Sequence, residues 1–373
     1  LPAWSALPGV KRAQRMHAAA QKMHEQVDEI SRVLAMEQGK PLFQAKLEAS
    51  RVAENLEYYA GLADKLRGDY IPLDDPAKFG ITLRRPIGVV VAITPWNFPL
   101  TLMANKLCPA LAAGCTFVLK PASTTPLASQ MAIEAIQSAG FPAGVINIVH
   151  GSGAEIGDAL VTHKKVNKVA FTGQTETGKR IMKLAADNVT RVTLELGGSD
   201  AMIVCDDTDI RRATAAAAIG RFFNAGQACL AVKRIFLFEK IAEEFMTKFS
   251  DRAAKEWKLG PQFAADSKMG PLHTEQQRAE VEAQVADAAR FERLDDRLRV
   301  DQRPAAGVDQ HYARLHSGQR LGVDQMMGPR RQRAVQGDDV RFGEEAVQRR
   351  QLRAERGALR VGVGIVGQHP APK

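Results

Sequence analysis

Apolar residues recur at helical spacing from the start of the chain. Met16, Met23, Val27, Ile30 and Leu34 are separated by sevens, fours and threes, which places them on one face of an amphipathic helix. The spacing ends near Gly39-Lys40-Pro41, a helix stop signal. Beyond Gly68 the period shortens, and 81–85 and 88–93 read as strands. Apolar strands then alternate with helical stretches. The strands are predicted at 116–120, 145–149, 168–172, 192–196, 201–204 and 235–238, and the helices at 100–113, 127–139, 175–187, 209–223 and 241–255. This alternation predicts βαβ units and a mostly parallel sheet, an α/β fold. No internal repeat of 20–50 residues is visible.

Beyond Arg290 the periodicity disappears. Residues 1–290 hold 19 Lys and 16 Arg against 31 acidic residues, whereas the last 83 residues hold 15 Arg and a single Lys against 11 acidic residues. More than half of the +9 net charge therefore lies in this tail. A basic RNA-binding tail would carry interleaved aromatics, RGG repeats or a dense basic block, and this one does not. Its excess of Arg, Ala, Gly and Gln reads instead as out-of-frame translation of a GC-rich gene. The apolar run 87–93 is strand length, far short of a bilayer span, so no membrane partner is expected. Leu1-Pro2-Ala3-Trp4 lacks an initiator Met and a signal-peptide pattern, and reads as the start of a fragment of a longer protein. Cys108, Cys115, Cys205 and Cys229 have neither CxxC nor zinc spacing, so a reducing, cytoplasmic setting is expected, with no metal.

Several local patterns carry chemistry. Cys229 closes Phe222-Phe223-Asn224-Ala225-Gly226-Gln227-Ala228-Cys229; a Cys after a Gly bend is either an exposed nucleophile or an inert buried thiol. Glu195 lies between two Leu at a strand end, before Gly197-Gly198. It is either a functional carboxylate at the ligand-binding edge of a parallel sheet or an edge carboxylate in water. Asn97 stands between Pro95 and Pro99, as a preorganised amide donor or as a turn residue. Lys120, in Leu119-Lys120-Pro121-Ala122-Ser123, ends a strand where a ribose or phosphate could be met. Phe171-Thr172-Gly173-Gln174-Thr175-Glu176-Thr177-Gly178 reads as strand, turn and helix start, with N–H groups available to a phosphate. Gly151-Ser152-Gly153-Ala154-Glu155-Ile156-Gly157 has one residue too many for GxGxxG.

Taken together, Thr94–Pro99, Lys120–Ser123, Phe171–Gly178, Leu194–Gly198 and Gly226–Cys229 resemble, in order and spacing, the motifs of the NAD(P)-dependent aldehyde dehydrogenase superfamily. The look is most similar to the branch containing succinate-semialdehyde dehydrogenases, and it covers about residues 1–290. The resemblance implies a Rossmann-type NAD(P)-binding domain over 1–196, with an oligomerisation hairpin near 71–87. It further implies the start of an incomplete α/β catalytic domain over 197–290, followed by the aberrant tail 291–373. It implies Cys229 as nucleophile, Glu195 as general base, and Asn97 as oxyanion donor beside the Cys229 N–H. For the cofactor, Trp96 would wall the site, Lys120 and Ser123 would lie at the adenosine ribose, and Gly173, Thr175 and Gly178 would form the phosphate turn. The implied reaction oxidises a small aldehyde, such as a semialdehyde, to its acid with NADP or NAD. Full-length relatives would be homo-oligomers.

Three positions depart from the family pattern. Ser199 follows Gly198 where Asn or Lys is common, and Ser123 stands where NAD-preferring members often carry Glu. The family's Glu-x-Phe-Gly-Pro motif is missing after residue 290, where Arg341-Phe342-Gly343-Glu344-Glu345 has similar letters in another order. An alternative therefore stands beside the enzyme: a truncated, catalytically inactive remnant. An acylating variant that uses coenzyme A is disfavoured by Glu195. The tail is expected to add no strand to the catalytic domain.

Overall fold

A computed structural model of the chain describes residues 2–300 and 359–362. The remaining tail residues, including 341–345, lie outside the described residues. The chain groups into two units. One holds the residues up to Gly198 together with Gln227–Cys229 and Lys258–Pro271; the other holds Ser199–Gly226, Leu230–Trp257 and the described residues from Leu272.

In the first unit, a short helix α1 (Pro2–Ser5) precedes α2 (Gly9–Gln38) and α3 (Leu42–Ala60). Met16, Met23, Ile30 and Leu34 are fully buried along α2, as their spacing requires. Gly39 ends α2 in the left-handed region at φ 93° and donates its N–H to Ala35 O, a conformation that glycine adopts without steric cost. A side chain there would also meet Pro271. Helix α3 has its own apolar stripe, Ala45, Ala49, Val52, Ala53 and Leu56, all buried; the strand reading begins only after it. Next comes an exposed antiparallel hairpin, β1 (Tyr70–Pro72) and β2 (Phe79–Ile81). The strand predicted over 81–85 is therefore shifted: pairing ends at Ile81, opposite Tyr70.

The sheet that follows contains β3 (Val89–Ile93), β4 (Thr116–Lys120), β5 (Ile146–Ile148), β6 (Lys168–Thr172) and β7 (Arg191–Glu195). Its helices are α4 (Pro99–Ala112), α5 (Leu127–Gln137), α6 (Asp158–Val161) and α7 (Thr175–Ala186). All pairings are parallel, in the order β5-β4-β3-β6-β7. The chain leaves β3 first to one side and then returns to the other, so strand order reverses between β3 and β6. In open α/β sheets, ligands bind at such a switch point beyond the strand C-termini. Apolar side chains cover both faces: Phe117, Leu119, Leu107 and Ile136 in one cluster, Val91, Val169, Phe171 and Ile181 in the other. Each such burial contributes about 1.5–3 kcal/mol.

Two helices of this unit are capped from a distance. Phe98 and Pro126, which precede α4 and α5, make no side-chain cap. Glu48 accepts from Leu100 N and Thr101 N instead, and Glu37 accepts from Leu127 N and Ala128 N. A carboxylate at a helix N-terminus satisfies orphan N–H groups and complements the dipole.

The second unit contains β8 (Asp200–Val204), α8 (Ile210–Phe222), β9 (Val232–Phe238), α9 (Glu239–Glu256), α10 (Glu275–Val300) and β10 (Leu359–Gly362). β9 pairs in parallel with β8 and antiparallel with β10. Phe245, Leu237, Val204 and Ala217 form its core. α10 runs without a break through residue 290, and one expectation about the tail is corrected: Leu359–Gly362 adds a strand where none was expected. Antiparallel pairing at a sheet edge needs only a short extended backbone, which a periodicity search over the whole tail does not register.

Candidate active site

The loop between β3 and α4 carries Trp96 and Asn97, both half-buried. Asn97 is tied down on three sides. Its Oδ1 accepts from Phe98 N at 3.1 Å, its carbonyl accepts from Lys40 Nζ at 2.8 Å, and its Nδ2 donates to Gln227 O at 3.0 Å. The last bond joins the amide to the three-residue segment that ends in Cys229. Gln227 also donates from Nε2 to Pro271 O at 3.4 Å. Cys229 is exposed, as a nucleophile must be, whereas Cys108 is buried and its thiol is pushed up out of the useful range by that burial.

Glu195 ends β7, the edge strand, and is exposed. The structure thus places this carboxylate in water rather than in an apolar core. Its Cα is in register with Thr172, and its carbonyl accepts from Gly173 N at 3.0 Å. Nearby stands a cation that sequence reasoning missed. Lys106 Nζ donates to Thr172 Oγ1 at 2.5 Å. Burial lowers Lys106 to about 8, while the charge of Glu195 acts in the opposite direction. The available signal was a lone Lys among the apolar residues of α4.

The candidate cofactor residues line the C-terminal ends of neighbouring strands. Lys120 ends β4, is only 4% exposed, and donates from Nζ to Pro121 O at 3.1 Å. Burial lowers its pKa below the ordinary lysine value. Ser123 is exposed and its Oγ donates to Gly151 O at 3.2 Å, linking the loops after β4 and β5. The Gly151–Gly157 motif forms a π-helical turn at Gly153–Gly157, with Ser152 Oγ accepting from Glu155 N; the extra residue relative to GxGxxG is taken up in that wider turn. A Cβ on Gly153 or Gly157 would meet nothing within 4 Å. Gly173 follows β6, and Thr175 opens α7, whose preceding residue Gln174 makes no side-chain cap. Gly178 behaves differently. It is buried, and a Cβ there would lie 2.6 Å from Leu196 Cδ2, so its lack of a side chain serves helix–strand packing.

These groups fit a dinucleotide. A buried ammonium after β4, a hydroxyl in the loop that follows, open glycines after β5 and an uncapped helix start after β6 all lie on the C-terminal edge of the sheet, where parallel sheets take ligands. Among the described residues, no group of three or more His, Cys, Asp or Glu is arranged to hold a metal ion. No helix among them is long and apolar enough to cross a membrane.

A doubly wound parallel sheet of this order is the architecture of many nucleotide-binding proteins. The aldehyde dehydrogenase family profile matches residues 1–293, and the chain belongs to that family. It is 40% identical over 288 residues to glutarate-semialdehyde dehydrogenase of Pseudomonas putida, covering 77% of this chain and 60% of that protein. It is 41% identical over 288 residues to the NADP(+) succinate-semialdehyde dehydrogenase of Escherichia coli, with the same coverages. Among solved structures, an E. coli NADP-dependent enzyme superposes with TM-score 0.76 at 40% identity, over 78% of this chain and 60% of its own. Betaine aldehyde dehydrogenase of Staphylococcus aureus in complex with NAD+ gives 0.74 at 39% identity, over 77% and 57%. The chain thus spans about 60% of the length of the curated relatives it matches, which fits a catalytic domain that is not whole within the matched residues.

Proposed function

We propose that this chain carries the nucleophile, oxyanion and cofactor elements of an NAD(P)-dependent aldehyde dehydrogenase acting on a small aldehyde of the semialdehyde type. The observation that carries the reading is the 3.0 Å bond from Asn97 Nδ2 to the carbonyl of Gln227, two residues before exposed Cys229. It brings an amide donor and a thiol from distant parts of the sequence into one small region.

The Cys229 thiolate adds to the aldehyde carbon, and the carbonyl oxygen takes up the negative charge. Asn97 Nδ2–H and the Cys229 backbone N–H donate to it; removing one such donor typically costs about 2.7–4 kcal/mol of transition-state stabilisation. Lys120, Ser123 and the uncapped start of α7 would hold NAD(P)+, which when bound would supply the hydride acceptor for conversion of the thiohemiacetal to the thioester. Glu195 takes a proton from the water that hydrolyses the Cys229 thioester, releasing the acid. The charge of Glu195 in turn favours the protonated form of Lys106. Ser123 carries no charge to repel a 2′-phosphate, which supports use of NADP as well as NAD. The apolar hairpin of β1 and β2, with Tyr70, Phe79 and Ile81 exposed, serves as an oligomerisation element. Four free cysteines suit a reducing cytoplasm.

A second reading, cofactor binding without turnover, is favoured by the span of about 60% of the relatives' length. Reduced-nicotinamide formation with succinate semialdehyde, glutarate semialdehyde and betaine aldehyde separates the two. The enzyme reading requires a signal that depends on aldehyde and vanishes in Cys229→Ala. Cofactor binding by a chain inert toward all three aldehydes supports the second.

A further inference from the structure

The loop that presents Asn97 rests on a buried ion pair from α2 and α3. Lys40, just beyond the C-terminus of α2, and Glu48, within α3, have side chains 0% and 3% exposed, with Nζ and Oε2 2.5 Å apart. The ammonium also reaches the Asn97 loop. Nζ donates to Asn97 O at 2.8 Å and lies 4.3 Å from the centre of the Phe98 ring. The other carboxylate oxygen, Glu48 Oε1, accepts from Leu100 N at 2.9 Å and Thr101 N at 3.2 Å. The pair therefore grips the backbone on both sides of the Phe98 N–H that orients the Asn97 amide.

Stability alone does not call for this arrangement. Burying two charges is costly, and well-packed apolar residues of similar volume often serve as well or better. Directed, charge-assisted hydrogen bonds do what apolar packing does not: they fix where a carbonyl and two N–H groups stand. An oxyanion donor needs that precision, since a displacement of about 1 Å costs on the order of a hundred-fold in rate. We propose that Lys40 and Glu48 are positioning residues for the oxyanion donor, acting through the backbone of residues 97–101 to aim the Asn97 amide. This inference rests on the proposed role of Asn97.

The test uses the full chain and two reagents that share Cys229 but differ in charge development. Acylation by p-nitrophenyl acetate passes through a tetrahedral oxyanion: the thiolate sulfur bonds to the carbonyl carbon, the C–O bond breaks, and nitrophenolate leaves. Alkylation by iodoacetamide displaces iodide at a saturated carbon and forms no oxyanion; its rate at Cys229 is read by peptide mass spectrometry. Asn97→Ala is expected to slow the nitrophenolate burst by about a hundred-fold or more. Lys40→Met/Glu48→Gln removes both charges but keeps an acceptor for α4. It is expected to slow the burst at least about ten-fold, with the half-saturating ester concentration and the alkylation rate unchanged. Glu48→Gln alone, which leaves the Lys40 bond to the Asn97 carbonyl in place, gives a smaller loss with the same selectivity. A wild-type burst rate in either Glu48→Gln variant, or acylation and alkylation falling together, overturns the positioning role. A wild-type chain that alkylates at Cys229 without a burst, or a burst indifferent to Asn97→Ala, instead overturns the proposed reaction, and this inference with it.

Discussion

Replacing Lys106 with Met should leave stability near neutral pH little changed and alter how stability varies with pH. Burial lowers Lys106 from 10.5 to about 8 in the folded protein. The unfolded chain therefore holds a proton on this amine between about pH 8 and 10.5 that the folded chain has lost. Stability rises with pH across that window and is flat below it, where both states are protonated and the burial cost is fully expressed. A displacement of this size corresponds to roughly 3 kcal/mol; the side chain keeps some contact with water, so about 2 kcal/mol is the working figure. Against it stands the 2.5 Å hydrogen bond to Thr172 Oγ1, worth about 1.5–3 kcal/mol for a charged donor. The two nearly offset each other at pH 7, so the pH dependence of the difference is the sharper observable. Urea unfolding of wild type and Lys106→Met at intervals from pH 7 to 10.5 measures it. The wild type should gain on the variant by roughly 2 kcal/mol across this range. A difference that stays constant with pH would refute the assignment of Lys106 as a burial-depressed amine.

Other expectations follow from the site and its supports. Glu195→Gln should leave the first burst of reduced nicotinamide intact and slow steady turnover, as rapid-mixing absorbance would report; unchanged turnover removes Glu195 from the hydrolytic step. Ser123→Glu should shift the NADP-to-NAD ratio of kcat/KM toward NAD, because a carboxylate there repels a 2′-phosphate. A wild type already strongly selective for NAD contradicts that account. Gly178→Ala should lower stability by about 1–3 kcal/mol through overpacking, because the new Cβ lands 2.6 Å from Leu196 Cδ2; a thermal melt matching wild type would show that α7 shifts freely.

Much of the cofactor-binding sheet was legible because each strand and helix is a local pattern. Short β-branched runs such as Val89–Ile93 and Thr116–Lys120, bounded by turn residues, fit buried strands between helices. The site motifs are equally local: Asn97 between prolines, Lys120 at a strand end, Cys229 after a glycine bend. Other features depend on partners far away in sequence. Helix α3 was passed over because its buried face is mostly alanine, a weak hydrophobic signal that matters only once α2 packs on it. Lys40 read as part of a helix stop, and its role appears only when Glu48 and the Asn97 carbonyl, 57 residues away, surround the ammonium. Lys106 is an ordinary helical lysine until burial beside Thr172 and Glu195 changes its proton affinity. Leu359–Gly362 becomes a strand only by borrowing the edge of β9. Backbone propensity and hydrophobic period are properties of neighbours in the chain, so the sheet strands, most helices and the chemical motifs can be read from it, while α3 and Leu359–Gly362 cannot. Desolvation, ion pairing and edge pairing are properties of neighbours in space, and only the tertiary structure decided them.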